Sequence, residues 1–236
     1  KSSGVGTDKV AVEPDLRTGI TLSLTYPEDK AQVTYAGSVD SLVASDVRPE
    51  LFHGYGHLHV SSIYLQRKLL GSFREILAAA KRAGLTTSLD TQADPRNRYE
   101  HVDEMLDHVD ILLTNDAEAK GITKSQDTST ALERLSLKVP AVVVKCGNKG
   151  AIGRADKQVV RVDALKIDPV DTTGAGDSFD AGFIYFYLHK RRSFEESIRF
   201  ANALGALSCL YVGGAEEEIS EEDVLGFMKN RSHLPK

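Results

Sequence analysis

Residues 85–115 read LTTSLDTQADPRNRYEHVDEMLDHVDILLTN. Residues 85–89 form a short strand that ends at Asp90, and residues 109–113 form another that ends near Asn115, with a short helix expected over 99–108 between them. A strand, a helical crossover and a second strand make a parallel pair, because parallel neighbours cannot be joined by a tight turn. The same alternation extends outward. Residues 57–61 read as a strand, and residues 63–82 as an amphipathic helix stopped by Gly84. Downstream come a helix over 128–137 and a strand over 141–144 that ends at Lys145-Cys146-Gly147. A β-hairpin over 151–167 and helices over 178–189, 194–210 and 221–229 complete the series. The pattern predicts an α/β protein with a mainly parallel sheet covered on both faces. Ligands of such sheets bind beyond the carboxyl ends of the strands, and Asp90, Asn115, Gly147 and residues 171–177 all fall there.

The chain changes character upstream. Residues 18–26 alternate apolar and polar side chains, residues 27–30 carry turn chemistry, and residues 32–37 return as a second strand. A lone two-stranded hairpin is marginal in water, so its apolar face must cover a site, a second copy, or both.

Composition excludes several classes. The 236 residues are 41% hydrophobic and 27% charged, the balance of a folded globular protein. A net charge of -5 argues against a nucleic-acid-binding face. No apolar run reaches the ~18 residues a membrane span needs, and the start lacks a signal-peptide pattern. Two cysteines, Cys146 and Cys209, make no disulfide framework and fit a reduced, cytoplasmic compartment. Both lie in apolar segments and read as buried thiols. His57 and His59 would share one face of a strand near His53, yet nothing in the chain completes a zinc ligand set, so they read as pocket-edge histidines.

The strongest chemical signal is Asp171-Thr172-Thr173-Gly174-Ala175-Gly176-Asp177-Ser178-Phe179. Its glycines let backbone approach a ligand closely, and the following helix points free N–H groups and its positive dipole end at the turn. That is an anion site. Asp177 beside it can take the proton from an attacking hydroxyl, while the N–H groups stabilise charge moving through a phosphoryl transfer. The bland alternative is a glycine turn with Asp177 as an early-helix dipole partner. Asn115 and Glu118 stand three residues apart, the spacing of a helix cap as well as of a metal-organising pair.

The nine-residue stretch resembles the C-terminal signature of the PfkB (ribokinase-like) carbohydrate kinases. Thr18-Gly19, Asn115-Asp116-Ala117-Glu118, residues 144–150 and Ala201-Asn202-Ala203 resemble further family segments in the same order. The resemblance implies a ribokinase-like three-layer α/β/α sandwich with a small β lid, as one domain over 1–236 with the lid at about 17–37. It implies an ATP- and Mg²⁺-dependent transfer of a phosphoryl group to a small sugar. Asp177 would then be the base and Gly174, Ala175 and Gly176 the anion hole. Asn115 and Glu118 would organise Mg²⁺ through water. Lys145, Gly147, Gly150 and Asn202 would border the nucleotide, and Asp171 and Thr173 a monovalent cation such as K⁺. Asp90 and Arg96 would meet the sugar, and the lid would join two copies as a homodimer. A nucleoside kinase of the same fold and a catalytically silent binding protein are the alternatives. The family's chains are generally longer at the front, so either an N-terminal portion is missing from this sequence or the chain is a shortened variant.

Overall fold

In the computed structural model, which describes residues 4–25, 30–214 and 218–231, strands and helices alternate from His57 onward. The chain divides into two compact units, Lys1–Val109 and Asp110–Lys236.

The first unit opens with an antiparallel hairpin, β1 (Ile20–Thr25) and β2 (Lys30–Tyr35), in which Ile20 faces Tyr35 and Leu22 faces Val33. Ser38 N–H donates to the Arg17 carbonyl at 2.9 Å and closes its base. The expected turn at 27–30 falls largely outside the described residues. Short 3₁₀ turns then lead to β3 (His57–Ser61), which pairs in parallel with β4 (Thr86–Asp90). Between them lies α1 (Phe73–Arg82), which buries Phe73, Ile76, Leu77 and Ala80 along one face. The expected helix over 63–82 is therefore only half α-helical, with short 3₁₀ turns at Ile63–Leu65 and Leu70–Ser72 before it. Asp40 explains the break: its carboxylate accepts from the Lys68 N–H at 3.1 Å and from Arg67 Nε at 2.9 Å, so backbone there serves another partner. Gly71, with its low helix propensity, follows. The helix expected over 99–108 shrinks to α2 (Val102–Leu106) for a similar reason. Asp94 accepts the N–H groups of Arg96, Arg98 and Tyr99, and Tyr99 and His101 turn left-handed. His57 and His59 meet hydroxyls: His57 lies 2.8 Å from both Thr86 Oγ1 and Ser88 Oγ, and His59 lies 2.7 Å from Ser88 Oγ.

The second unit holds β5 (Ile111–Asn115), α3 (Asp116–Thr123), α4 (Thr128–Leu135) and β6 (Ala141–Lys145), with β5 and β6 parallel. Strands β7 (Ala151–Ala155) and β8 (Gln158–Val162) continue antiparallel, joined at Asp156-Lys157, both left-handed. They fill less of the expected 151–167 hairpin, because the chain leaves the strand after Val162 and residues 164–167 wall a cavity instead. The chain ends with α5 (Ala175–Ile184), a single π turn at Tyr185–His189, α6 (Phe194–Ser208) and α7 (Glu221–Arg231). Ile111, Leu113, Ala141 and Val143 alternate along β5 and β6 and pack under Phe179, Phe183, Ile198 and Ala201 of α5 and α6. The intervening Leu112 and Val142 are equally buried, so these strands are covered on both faces. Among the described residues no helix is long and apolar enough to cross a membrane.

Candidate active site

The turn before α5 is built by its own backbone. Gly174 caps the helix in the left-handed region, at φ +74°, and its carbonyl accepts from the Ser178 N–H at 2.8 Å. A Cβ there would stand 2.7 Å from Gly214 Cα, so the position requires glycine for both conformation and space. Asp171 ties the turn down from the other side. One of its oxygens accepts the Thr173 N–H at 2.9 Å and the other the Gly213 N–H at 3.0 Å. Helix geometry gives the first N–H groups of α5 no acceptor within the helix, although the Ala175 N–H reaches the Thr172 carbonyl at 3.3 Å, and Asp177 lies in that first turn, exposed.

A cavity of about 650 Å³ opens beside the turn. Ala175 and Gly176 form one wall, Lys145, Gly147 and Gly150 another, and Asn202 and Cys209 stand on a third. Gly150 must also be glycine: its φ is +87°, and a Cβ would fall 2.0 Å from the Val162 carbonyl oxygen. Its neighbour Gly147 has φ +56° with open space where a side chain would be. Asn202 reaches from α6 to the Val162 carbonyl at 3.4 Å. Cys209 is buried, whereas Cys146 is only half-buried, which corrects the expectation of two buried thiols. Burial, followed by the Asp116 charge, pushes the Cys146 thiol above its ordinary range.

Asn115 ends β5 opposite Lys145 of β6 and caps α3. The capping box is complete. Asn115 Oδ1 accepts the Glu118 N–H at 2.9 Å, and Glu118 Oε2 accepts the Asn115 N–H at 3.0 Å. Glu118, buried, also takes Asn115 Nδ2 on Oε1 at 2.6 Å and the Thr114 hydroxyl on Oε2 at 3.2 Å. This leaves a rigid, oxygen-rich pair that fits Mg²⁺ held through water, since the cation keeps much of its hydration shell.

Asp180 is the residue that sequence reasoning missed. Its buried carboxylate accepts from Lys145 Nζ at 2.9 and 3.1 Å, so Lys145 is no solvated strand-end lysine. A lone carboxylate inside the apolar run Phe179-Asp180-Ala181-Gly182-Phe183 was the available signal. Asp90 and Arg96 belong to the first unit. Asp90 is buried at the end of β4 and accepts the Gln92 N–H at 3.0 Å, and Arg96 is exposed.

The family model described as pfkB family carbohydrate kinase matches residues 1–221. The chain belongs to that family. An uncharacterized sugar kinase of Archaeoglobus fulgidus is 30% identical over 223 residues, covering 91% of this chain and 84% of the relative. Among solved structures, an E. coli protein in complex with ATP and Mg²⁺ superposes with a TM-score of 0.82 at 22% identity, over 92% of this chain and 72% of its own. A fructokinase double mutant from Vibrio cholerae O395, bound to fructose, ADP and a potassium ion, gives 0.81 at 22% identity, over 96% and 78%. These likenesses establish the ribokinase-like fold of this pfkB family member, with its mostly parallel central sheet, flanking helices and small antiparallel sheet. The chain spans less than two thirds of the length of several curated relatives it matches.

Proposed function

We propose that this pfkB family member is an ATP- and Mg²⁺-dependent kinase that phosphorylates a hydroxyl of a small sugar. The observation that carries this is the left-handed Gly174 cap, which sets the N-terminus of α5, with Asp177 exposed in its first turn, at the wall of the 650 Å³ cavity. The cavity is large enough for a nucleotide, with Gly147, Gly150 and Asn202 bordering it and Lys145 beside the phosphates. Asp177 takes the proton of the sugar hydroxyl as its oxygen bonds to the γ-phosphorus and the bond to the β-phosphate oxygen breaks, releasing ADP. The N–H groups of Gly174, Ala175 and Gly176 stabilise the charge on the transferring oxygens. Asn115 and Glu118 would hold Mg²⁺ through water, and the cation would supply neutralisation of the phosphoryl charge. Asp171 and Thr173, with backbone near Gly213, are the candidates for a monovalent cation such as K⁺. Asp90 and Arg96 are the sugar-side candidates. The two free cysteines suit a cytoplasmic protein.

Asp177→Asn tests the base. It keeps shape and hydrogen-bonding reach, so turnover should fall about 10²–10⁴-fold. Nucleotide affinity should hold, and folding stability should change by no more than ~1 kcal/mol. Turnover near the parent rate in a folded Asp177→Asn protein would end the mechanism. A coupled ADP-release screen across pentoses, hexoses, sugar acids and nucleosides names the acceptor, and turnover of nucleosides alone would replace the sugar by a nucleoside. Nucleotide binding with no transfer to any acceptor would leave a silent binding protein.

A further inference from the structure

Lys145 and Asp180 form a largely buried ion pair, the lysine side chain 13% exposed and the aspartate 3%. Lys145 is the last residue of β6, and both carboxylate oxygens of Asp180 hold its ammonium. Asp180 sits on α5 three residues after Asp177, one turn deeper along the same helix. A Cβ built on Gly176 would lie 3.7 Å from Lys145 Nζ, so the ammonium stands against the anion turn, and both residues line the cavity. Stability does not account for such a pair. Removing two charges from water is costly, and well-packed apolar residues of similar size hold two elements together equally well or better. Position accounts for it: a flexible four-carbon lysine stem has many rotamers, and two carboxylate contacts select one.

We propose that Asp180 is a positioning residue that fixes the Lys145 ammonium against the Gly174–Asp177 turn, giving the site a preorganised positive charge where negative charge moves between phosphoryl oxygens. A charge held in place needs no reorganisation as transfer proceeds, so it stabilises the transition state more than bound nucleotide. This role rests on the kinase reading of Asp177.

Three variants test it: Asp180→Asn, Lys145→Met, and the double Lys145→Met with Asp180→Leu, which replaces the pair by apolar bulk. Each is measured for urea stability, kcat, KM for ATP, and affinity for ADP with and without aluminium fluoride, a mimic of the transferring phosphoryl group. The single variants should lose roughly 10²-fold in kcat, with KM for ATP little changed. Affinity for ADP alone should hold, while the gain from aluminium fluoride should shrink by about the same factor. The double variant should regain stability and none of the lost turnover. A double variant with parent-like kcat and parent-like aluminium fluoride enhancement would make the pair a structural tie and overturn the proposal, and it decides the matter even where the single variants fail to fold. Failure of the kinase reading has a different signature: an Asp177→Asn protein that turns over normally, or a parent protein in which aluminium fluoride adds nothing to ADP binding.

Discussion

Gly174→Ala puts the geometry of the anion turn to a quantitative test. Gly174 holds φ +74°, and the added methyl would meet Gly214 backbone at 2.7 Å from Cα and 2.9 Å from the carbonyl oxygen. Alanine in the left-handed region costs roughly 1–2 kcal/mol. Forcing a methyl into packed surroundings adds about 1–3 kcal/mol, and here the obstacle is backbone, which cannot swing aside as a side chain does. The two terms together predict a loss of about 2–5 kcal/mol. With a urea slope of about 2.5 kcal/mol per molar, the unfolding midpoint should fall by about 1–2 M. Gly176→Ala is the matched control, two residues on. Its Cβ would meet only Lys145 Nζ, at an ordinary 3.7 Å. Alanine in place of a helical glycine should leave stability unchanged or raise it by up to ~1 kcal/mol. Nucleotide affinity should nevertheless fall, because the methyl stands on the cavity wall over the ammonium. Urea titration and nucleotide calorimetry on both variants make the comparison. Equal midpoints for Gly174→Ala and the parent, or equal losses in the two variants, would refute the reasoning.

Other consequences follow from the packing and the charges. Phe183 is fully buried against the rings of Tyr187 and Phe194, at 5.3 and 5.6 Å, so Phe183→Ala should cost about 3–5 kcal/mol in urea unfolding, and a loss below ~1 kcal/mol would contradict that packing. The Lys120 ammonium and the Thr128 hydroxyl hold the Asp116 carboxyl below its ordinary range. Its stabilising contribution is therefore present above the unfolded-state value of about 4 and lost as pH falls through the lower folded value. Asp116→Asn should be less stable than the parent at pH 7, and the gap should close on acidification below about pH 4; a gap independent of pH would show that charge is not its origin. Ile20, Leu22, Val33 and Tyr35 stand exposed on paired positions of the hairpin, and we propose that a second copy covers them. Light scattering at micromolar concentration should give a dimer, Leu22→Glu should dissociate it, and a monomeric parent would remove this surface from consideration.

Much of the second unit was legible because its signals are local. The runs at 109–113 and 141–144 stand out by composition, and the strands observed are Ile111–Asn115 and Ala141–Lys145, each carried a residue or more further along the chain. The first unit misled where a carboxylate competes for backbone. Apolar spacing over 63–82 is helical in pattern, yet Asp40, more than twenty residues earlier, takes the Lys68 N–H. Asp94 does the same to the 96–99 segment. Periodicity reports which side chains seek burial. It is silent about which backbone groups another side chain will capture.

The candidate site divides along the same line. Asn115 and Glu118 are three residues apart, so either role could be read from spacing, and the structure forms the cap in full. The cap is what buries Glu118 and fixes both its oxygens, and a carboxylate held so firmly can orient water around a cation without first losing side-chain entropy. Lys145 and Asp180 are 35 residues apart, and no periodic signal links a strand end to the interior of a helix. Only the packing of α5 beside β6 brings them together. Asp180 nevertheless carries its own requirement, since a carboxylate between Phe179 and Phe183 cannot be buried without a partner. Lys145 meets that requirement at a strand end that also borders the anion turn. The pair therefore joins the core to the chemistry: what Asp180 needs for burial is what places a positive charge beside Gly176, and a variant that removes the charge while keeping the packing separates the two.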